Sequence, residues 1–221
     1  NVGRARAVQN AIDAFVLAAR LGTTGIETDA WLTADDQVVL DHDGVRRRLG
    51  VLRTPFAALP RTALPRHVPT LAELYEAVGT DLPLSVDVKD EAVFSGLVRV
   101  ARDHEAADRL WVSHHDLDLL VRWHELAPAV NLVNSTRLDQ LSGGPERRAA
   151  ELARERVAAI NLRRPDWTGG LTTLFHRFEV LAFGWDAQHE RHIEELVDMG
   201  IDAVYSDHVD RMVEVIGRVG P

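Results

Sequence analysis

Two short polar clusters at the ends of apolar runs hold the reactive side chains of this sequence. Glu27 and Asp29 close the run Gly25-Ile26-Glu27-Thr28-Asp29, and Asp87 and Lys89 close the run Leu84 to Val88. Residues i and i+2 of a strand point to one face, so strands here would place Glu27 with Asp29 and Asp87 with Lys89. Three carboxylates brought together repel one another unless a cation lies between them. An all-oxygen set of Glu27, Asp29 and Asp87 suits Mg²⁺ or Ca²⁺ better than zinc. Each pair alone reads equally as polar strand ends or as a structural ion pair, and it is their conjunction that favours a site.

His42 joins them through a hairpin. Trp31 to His42 alternates apolar and polar residues about Asp35-Asp36, and a two-residue turn there sets residue 42 opposite residue 29. Cross-strand neighbours lie about 5 Å apart at Cβ, so His42 is expected to face Asp29. A turn of different parity would send it to the other face. A histidine titrates near neutral pH and can protonate a departing alkoxide, while Lys89 can neutralise a phosphoryl oxygen. Other candidates are weaker. His114-His115 either lines a pocket or caps a loop, and the loop reading is favoured. His189 and His192 share a helix face without a nearby third ligand and read as solvated. Phe183 and Trp185 alternate at a strand end, one to pack inward and the other to floor a pocket that receives substrate.

The elements that must position these groups alternate regularly. Helical periodicity covers Ile12 to Leu21, Leu71 to Val78, Val93 to Ala101, Leu117 to Leu126, Pro145 to Arg154, Leu171 to Phe178, Arg191 to Met199 and Asp210 to Arg218. Between them lie seven extended runs at Gly25, Leu84, Leu110, Val130, Val157, Val180 and Ala203. Short apolar strands alternating with helices are the pattern of a parallel sheet covered by helices. The expectation is an α/β fold, a (β/α)8 TIM barrel occupying residues 1–221 as a single domain. Such a barrel has eight strands, so its first strand is expected to be missing or truncated at the N-terminus. An open doubly wound sheet would need a glycine-rich loop after its first strand, and neither Gly143-Gly144 nor Gly169-Gly170 supplies one. Gly44 to His67, rich in proline and arginine, reads as a long surface excursion.

Composition excludes several classes of partner. The 221 residues carry 25 basic and 34 acidic side chains, a formal charge of −9 that offers no footprint for nucleic acid. No apolar stretch reaches the roughly 20 residues of a transmembrane helix, and the absence of cysteine removes thiolate chemistry and disulfides. The chain opens on Asn1 instead of Met and reads as a fragment or processed form, with the cytoplasm as the expected compartment.

At these residues the sequence resembles the glycerophosphodiester phosphodiesterase family over nearly its whole length. Gly25-Ile26-Glu27-Thr28-Asp29 followed by a short hairpin and His42-Asp43 is similar to the family's segment of two acidic metal ligands and one catalytic histidine. Pro69-Thr70-Leu71, the acid and lysine at Asp87 and Lys89, Phe183-Gly184-Trp185-Asp186 and Ser206-Asp207-His208-Val209-Asp210 match further family segments. The resemblance implies a metal-dependent phosphodiesterase that cleaves a glycerophosphodiester or lysophospholipid to glycerol 3-phosphate and an alcohol. A barrel that binds phosphodiesters or a protein partner without turnover is the alternative. Three departures stand out. Val8-Gln9-Asn10-Ala11 replaces the family's Pro-Glu-Asn-Thr, Asp87 stands where glutamate is usual, and Asn1-Val2-Gly3 lies near the place of a His-Arg-Gly strand end that supplies a second histidine and an arginine. A strand carrying that pair is therefore expected just before Asn1, and residues 1–221 without it are expected to be nearly inert.

Overall fold

A computed structural model of the chain describes residues 12–48 and 52–219. The expectations that fall on Asn1-Val2-Gly3 and Val8-Gln9-Asn10-Ala11 lie outside the described residues. The chain forms two compact units that divide between Val112 and Ser113.

The first unit runs α1 (Ile12–Leu21), β1 (Ile26–Leu32), β2 (Val38–Leu40), β3 (Val45–Arg48), β4 (Leu52–Pro55), α2 (Leu71–Val78), β5 (Leu84–Val88) and α3 (Phe94–Asp103). Next along the chain is β6 (Leu110–His114), which ends in the second unit. Strand β1 lies between β5 and β2, parallel to the first and antiparallel to the second. Helix α2 starts where Thr70 accepts from the Glu73 N–H at 3.1 Å and Glu73 reaches back to the Thr70 N–H at 2.7 Å, a reciprocal cap that satisfies two otherwise orphaned donors. Its apolar face buries Leu71, Leu74 and Tyr75. Gly96 of α3 comes so close to β1 and β2 that a Cβ would meet Val38 at 2.8 Å and Leu32 at 3.6 Å. The parity of β1 then follows, with Ile26, Thr28, Ala30 and Leu32 toward the helix and Glu27, Asp29 and Trp31 on the opposite face.

Two expectations are corrected here. The hairpin pairs Ala30 with Leu40, Trp31 with Val39 and Leu32 with Val38, so Asp41, not His42, stands opposite Asp29, and the Asp41 N–H donates to the Asp29 carbonyl at 3.2 Å. The connection is the five-residue loop 33–37 instead of a two-residue turn. It closes through Thr33, whose hydroxyl donates to Asp35 at 2.6 Å and accepts from the Gln37 N–H at 2.9 Å. The supposed surface excursion is also structured. It forms the β3–β4 hairpin and two single helical turns, and it buries Phe56, Leu64 and Val68 with Val39 in a small core of their own, against which Trp31 and Leu59 pack.

The second unit continues from the end of β6 with α4 (Leu117–Leu126), β7 (Asn131–Ser135), α5 (Gly144–Arg154), β8 (Ala159–Arg163), α6 (Gly169–Arg177), β9 (Leu181–Trp185), α7 (Glu190–Asp198), β10 (Ala203–Val204) and α8 (Val209–Val219). Strands β7, β8, β9 and β10 lie side by side in chain order and are parallel. Asp116 and Thr168 cap α4 and α6, each accepting a backbone N–H from three residues ahead. The two glycine pairs sit at the starts of α5 and α6. One face of this sheet carries Leu132, Ile160, Leu162 and Ala182, all buried. On that face Gly184 admits α7, because a Cβ would lie 2.9 Å from Leu196 Cδ1.

Candidate active site

The register of β1 on β5 pairs Asp29 with Asp87 and Glu27 with Ser85. Parallel neighbours at matched positions share a face, so the two aspartates stand side by side. Lys89, just past the end of β5, spans both. Its ammonium lies 3.4 Å from Asp29 Oδ1 and in tighter contact with Asp87 Oδ2. Burial pushes the Asp29 carboxyl above the ordinary aspartate range, and the neighbouring Asp87 charge adds to this while Lys89 opposes it. For Lys89, burial acts to lower the pKa, yet the hydrogen bond and charge of Asp87, with Asp29, carry the net direction upward. The ammonium is therefore held charged beside two acids. Glu27 is exposed, two residues before Asp29 on the same strand. Among the described residues no three His, Asp or Glu side chains are gathered closely enough to hold one ion, so the expected gathering of Glu27, Asp29 and Asp87 is corrected: it is Lys89 that lies against Asp29 and Asp87.

His42 lies in the loop after β2, held by its neighbours. Asp41 Oδ1 accepts the N–H groups of Asp43 and Gly44, each at 2.9 Å, and the Asp41 carbonyl accepts the Trp31 indole N–H at 2.7 Å. The His42 ring meets Asp43 Oδ1 through Nδ1 at 3.0 Å, and Arg47 donates to the other Asp43 oxygen at 2.6 Å. The Asp43 hydrogen bond is the largest influence on His42 and raises its pKa. Burial opposes it, and the charges of Asp29 and Asp43 reinforce it. Although the register differs from expectation, His42 thus remains in electrostatic reach of Asp29. Asp43 is the orienting group that strand parity alone did not point out.

In the second unit, His114 Nδ1 accepts from the Asp116 N–H at 3.1 Å, the arrangement of a loop cap. The rings of His189 and His192 lie 5.0 Å apart. Phe183 is buried, with its ring centroid 6.1 Å from that of Tyr205, and Trp185 is half-buried under the guanidinium of Arg163, 5.8 Å from its ring centre. Arg163 also donates to Asp186 Oδ2 from two nitrogens at 3.0 and 3.1 Å. Sequence reasoning did not single out Arg163, the exposed last residue of β8.

The model of the glycerophosphoryl diester phosphodiesterase family matches residues 3–211. The chain belongs to that family. Its members' enzyme class, phosphoric diester hydrolase, is therefore this chain's class. Solved structures agree on the fold. A glycerophosphodiester phosphodiesterase from Thermotoga maritima is 21% identical, with a TM-score of 0.82 over 96% of this chain and 94% of that one. A phosphodiesterase from Oleispira antarctica, solved in complex with the product sn-glycerol-3-phosphate, is 19% identical, with a TM-score of 0.82 over 97% and 94%. A glycerophosphodiester phosphodiesterase from Agrobacterium tumefaciens is 14% identical, with a TM-score of 0.80 over 96% of both chains. No curated protein matches the sequence. The parallel strand-helix units described above are thus those of the family's (β/α)8 barrel fold.

Proposed function

We propose that the chain hydrolyses glycerophosphodiesters to glycerol 3-phosphate and an alcohol in a metal-dependent reaction centred on Asp29, Asp87, Lys89 and His42. One observation carries the reading: two aspartates on neighbouring parallel strands stand side by side with a charged lysine, and His42 is coupled electrostatically to the buried one.

Each residue has a role suited to its chemistry. Lys89 places a fixed positive charge where a phosphoryl oxygen gains negative charge. His42, kept protonated to higher pH by Asp43, donates its proton to the leaving alkoxide as the bond from phosphorus to that oxygen breaks. Asp29 and Asp87 offer the hard oxygen donors that a divalent cation such as Mg²⁺ or Ca²⁺ takes, and Glu27 is a further carboxylate two residues before Asp29 on β1. When bound, such a cation would supply Lewis-acid polarisation of the phosphate and a lowered pKa for the attacking water or glycerol hydroxyl.

The test is release of glycerol 3-phosphate from a glycerophosphodiester with a poor leaving group, in buffers of defined Mg²⁺ or Ca²⁺. His42→Ala is expected to reduce turnover by roughly 10² to 10⁴, the usual contribution of one positioned acid. Wild-type turnover in that variant would remove His42 from the mechanism, and no release by the unaltered protein with either ion would remove the reaction.

A further inference from the structure

We propose that arginines of the β3–β4 hairpin and of the turn 65–68 form a docking surface for an anionic lipid bilayer. All of them belong to the first unit, and the reaction proposed above is not a premise of this inference. Residues 44–70 include six arginines and no acidic residue, so all 34 acidic side chains of the chain lie outside this stretch. Among the described residues, β3 and β4 pair only with each other. The hairpin is tied down at its base, where the Phe56 N–H donates to the Gly44 carbonyl at 2.9 Å and Phe56 enters the small core with Leu64 and Val68. Arg66 lies between those last two anchors, in a turn closed by the Val68 N–H on the Pro65 carbonyl at 3.1 Å. The register of the hairpin sets Arg47 directly opposite Arg53, and Arg46 opposite Thr54 on its other face. Like charges at directly opposed positions are destabilising. Arg47 and Arg61 are relieved by Asp43 at 2.6 Å and Glu73 at 3.4 Å. Arg46, Arg53 and Arg66 have no acid or hydrogen-bond partner among the described residues, and Arg53, Arg66 and His67 are exposed.

A layer of phosphate headgroups complements this arrangement. Guanidinium groups take phosphate oxygens through paired N–H donors, and each basic residue brought to an anionic bilayer strengthens binding about fivefold. Charges farther from the surface than about 8 Å are screened at physiological ionic strength, so the net charge of −9 does not forbid contact through a segment of opposite sign. The partner is extended, because the hairpin divides its arginines between two faces, Arg46 on one and Arg47 with Arg53 on the other. One phosphate ion meets one face, whereas a headgroup layer surrounds an inserted ribbon and meets both. Nucleic acid fits less well. A single strand binds by stacking its bases on aromatic rings, and Phe56, the only Phe, Tyr or Trp among residues 44–70, is 2% exposed.

Co-sedimentation of the full chain with phosphatidylcholine vesicles containing about one-third phosphatidylglycerol tests the proposal. The protein should bind these vesicles, should not bind vesicles of phosphatidylcholine alone, and should be released as sodium chloride is raised. The triple variant Arg46→Gln, Arg53→Gln, Arg66→Gln should bind about a hundredfold more weakly. The triple variant Arg46→Lys, Arg53→Lys, Arg66→Lys keeps the three charges and should bind like the wild type, which separates charge from folding; loss of binding in it overturns the proposal. Arg102→Gln, Arg137→Gln, Arg177→Gln removes three exposed charges elsewhere on the chain and should leave binding unchanged. Equal weakening in the two glutamine variants would mark net charge alone and overturn the proposal, as would failure of the wild type to bind the anionic vesicles. Two further results would replace it. Release by millimolar inorganic phosphate beyond that caused by sodium chloride of equal ionic strength would mark a site for one phosphate, and binding of oligothymidine without binding of vesicles would mark a nucleic-acid surface.

Discussion

Asp43 and Asp29 act on the site in opposite senses. Asp43 accepts from His42 and holds its pKa up, so the imidazolium proposed as the acid persists to higher pH. Asp43→Asn should move the alkaline limb of the kcat profile to lower pH, together with the His42 titration followed by NMR. An unmoved limb would assign the acid to another group. Asp29 is strained by its surroundings, with burial first and Asp87 second raising its pKa. A carboxyl whose folded-state pKa is raised contributes stability below its unfolded pKa and loses it as pH rises through the folded value. At neutral pH the ionised Asp29 therefore weakens the fold. Asp29→Asn should raise the thermal midpoint by a few degrees, at roughly 2–4 °C per kcal/mol for a chain of this size, while lowering turnover. A lower midpoint would show that its attraction to Lys89 outweighs the burial.

The loop carrying His42 is set by element packing. Gly44 has φ +63 and its Cα abuts the Trp31 indole, so a side chain there would be both strained and driven into the ring. Trp31 in turn donates to the Asp41 carbonyl, and Asp41 caps the turn through Asp43 and Gly44. Gly44→Ala should destabilise by about 1–3 kcal/mol and reduce kcat by displacing His42. Denaturant unfolding and kinetics on one preparation would check both, and full activity would show that the loop tolerates the shift. Phe56, 2% exposed, anchors the small core of the segment between β3 and α2. Truncation to Ala should cost about 3–5 kcal/mol, a loss that a surface excursion would not suffer.

The whole chain carries a net charge of −9, and among the described residues no helix is long and apolar enough to cross a membrane. Its acidic residues need not bind cations specifically, so the proposed ion is best tested by stability. A divalent cation that binds the folded state alone raises stability by mass action, about 2.7 kcal/mol at a hundredfold excess over Kd. Millimolar Mg²⁺ or Ca²⁺ should raise the thermal midpoint of the wild type, and Asp87→Asn should abolish that rise. An equal rise in the variant would place the ion elsewhere on the acidic surface.

Local pattern was enough to locate most of the elements and the pairing of Asp87 with Lys89 in the candidate site. Helix α2 came out residue for residue because a cap, an apolar face and Gly79 mark it, and β5 because a β-branched run ends at a charge. Parity placed Asp29 and Glu27 on one face and Asp87 and Lys89 on one face, since alternation is a property of the strand itself. What tertiary structure decided was everything that depends on contacts between distant segments. The turn at 33–37 is braced by Leu59, whose carbonyl accepts from the Ala34 N–H at 2.9 Å, and by the Arg61 N–H, which donates to Asp35 at 2.8 Å. Those braces come from the segment that looked like loose surface, and they shift the hairpin by one residue and reverse the parity assigned to His42. Asn161 was a polar residue in an apolar run, and only the register of β8 against β7 and β9 put it beside Ser135 and Phe183. Hydrophobic alternation says which way a side chain points within its own strand. Its neighbours are chosen by pairing, which the chain settles only when it folds.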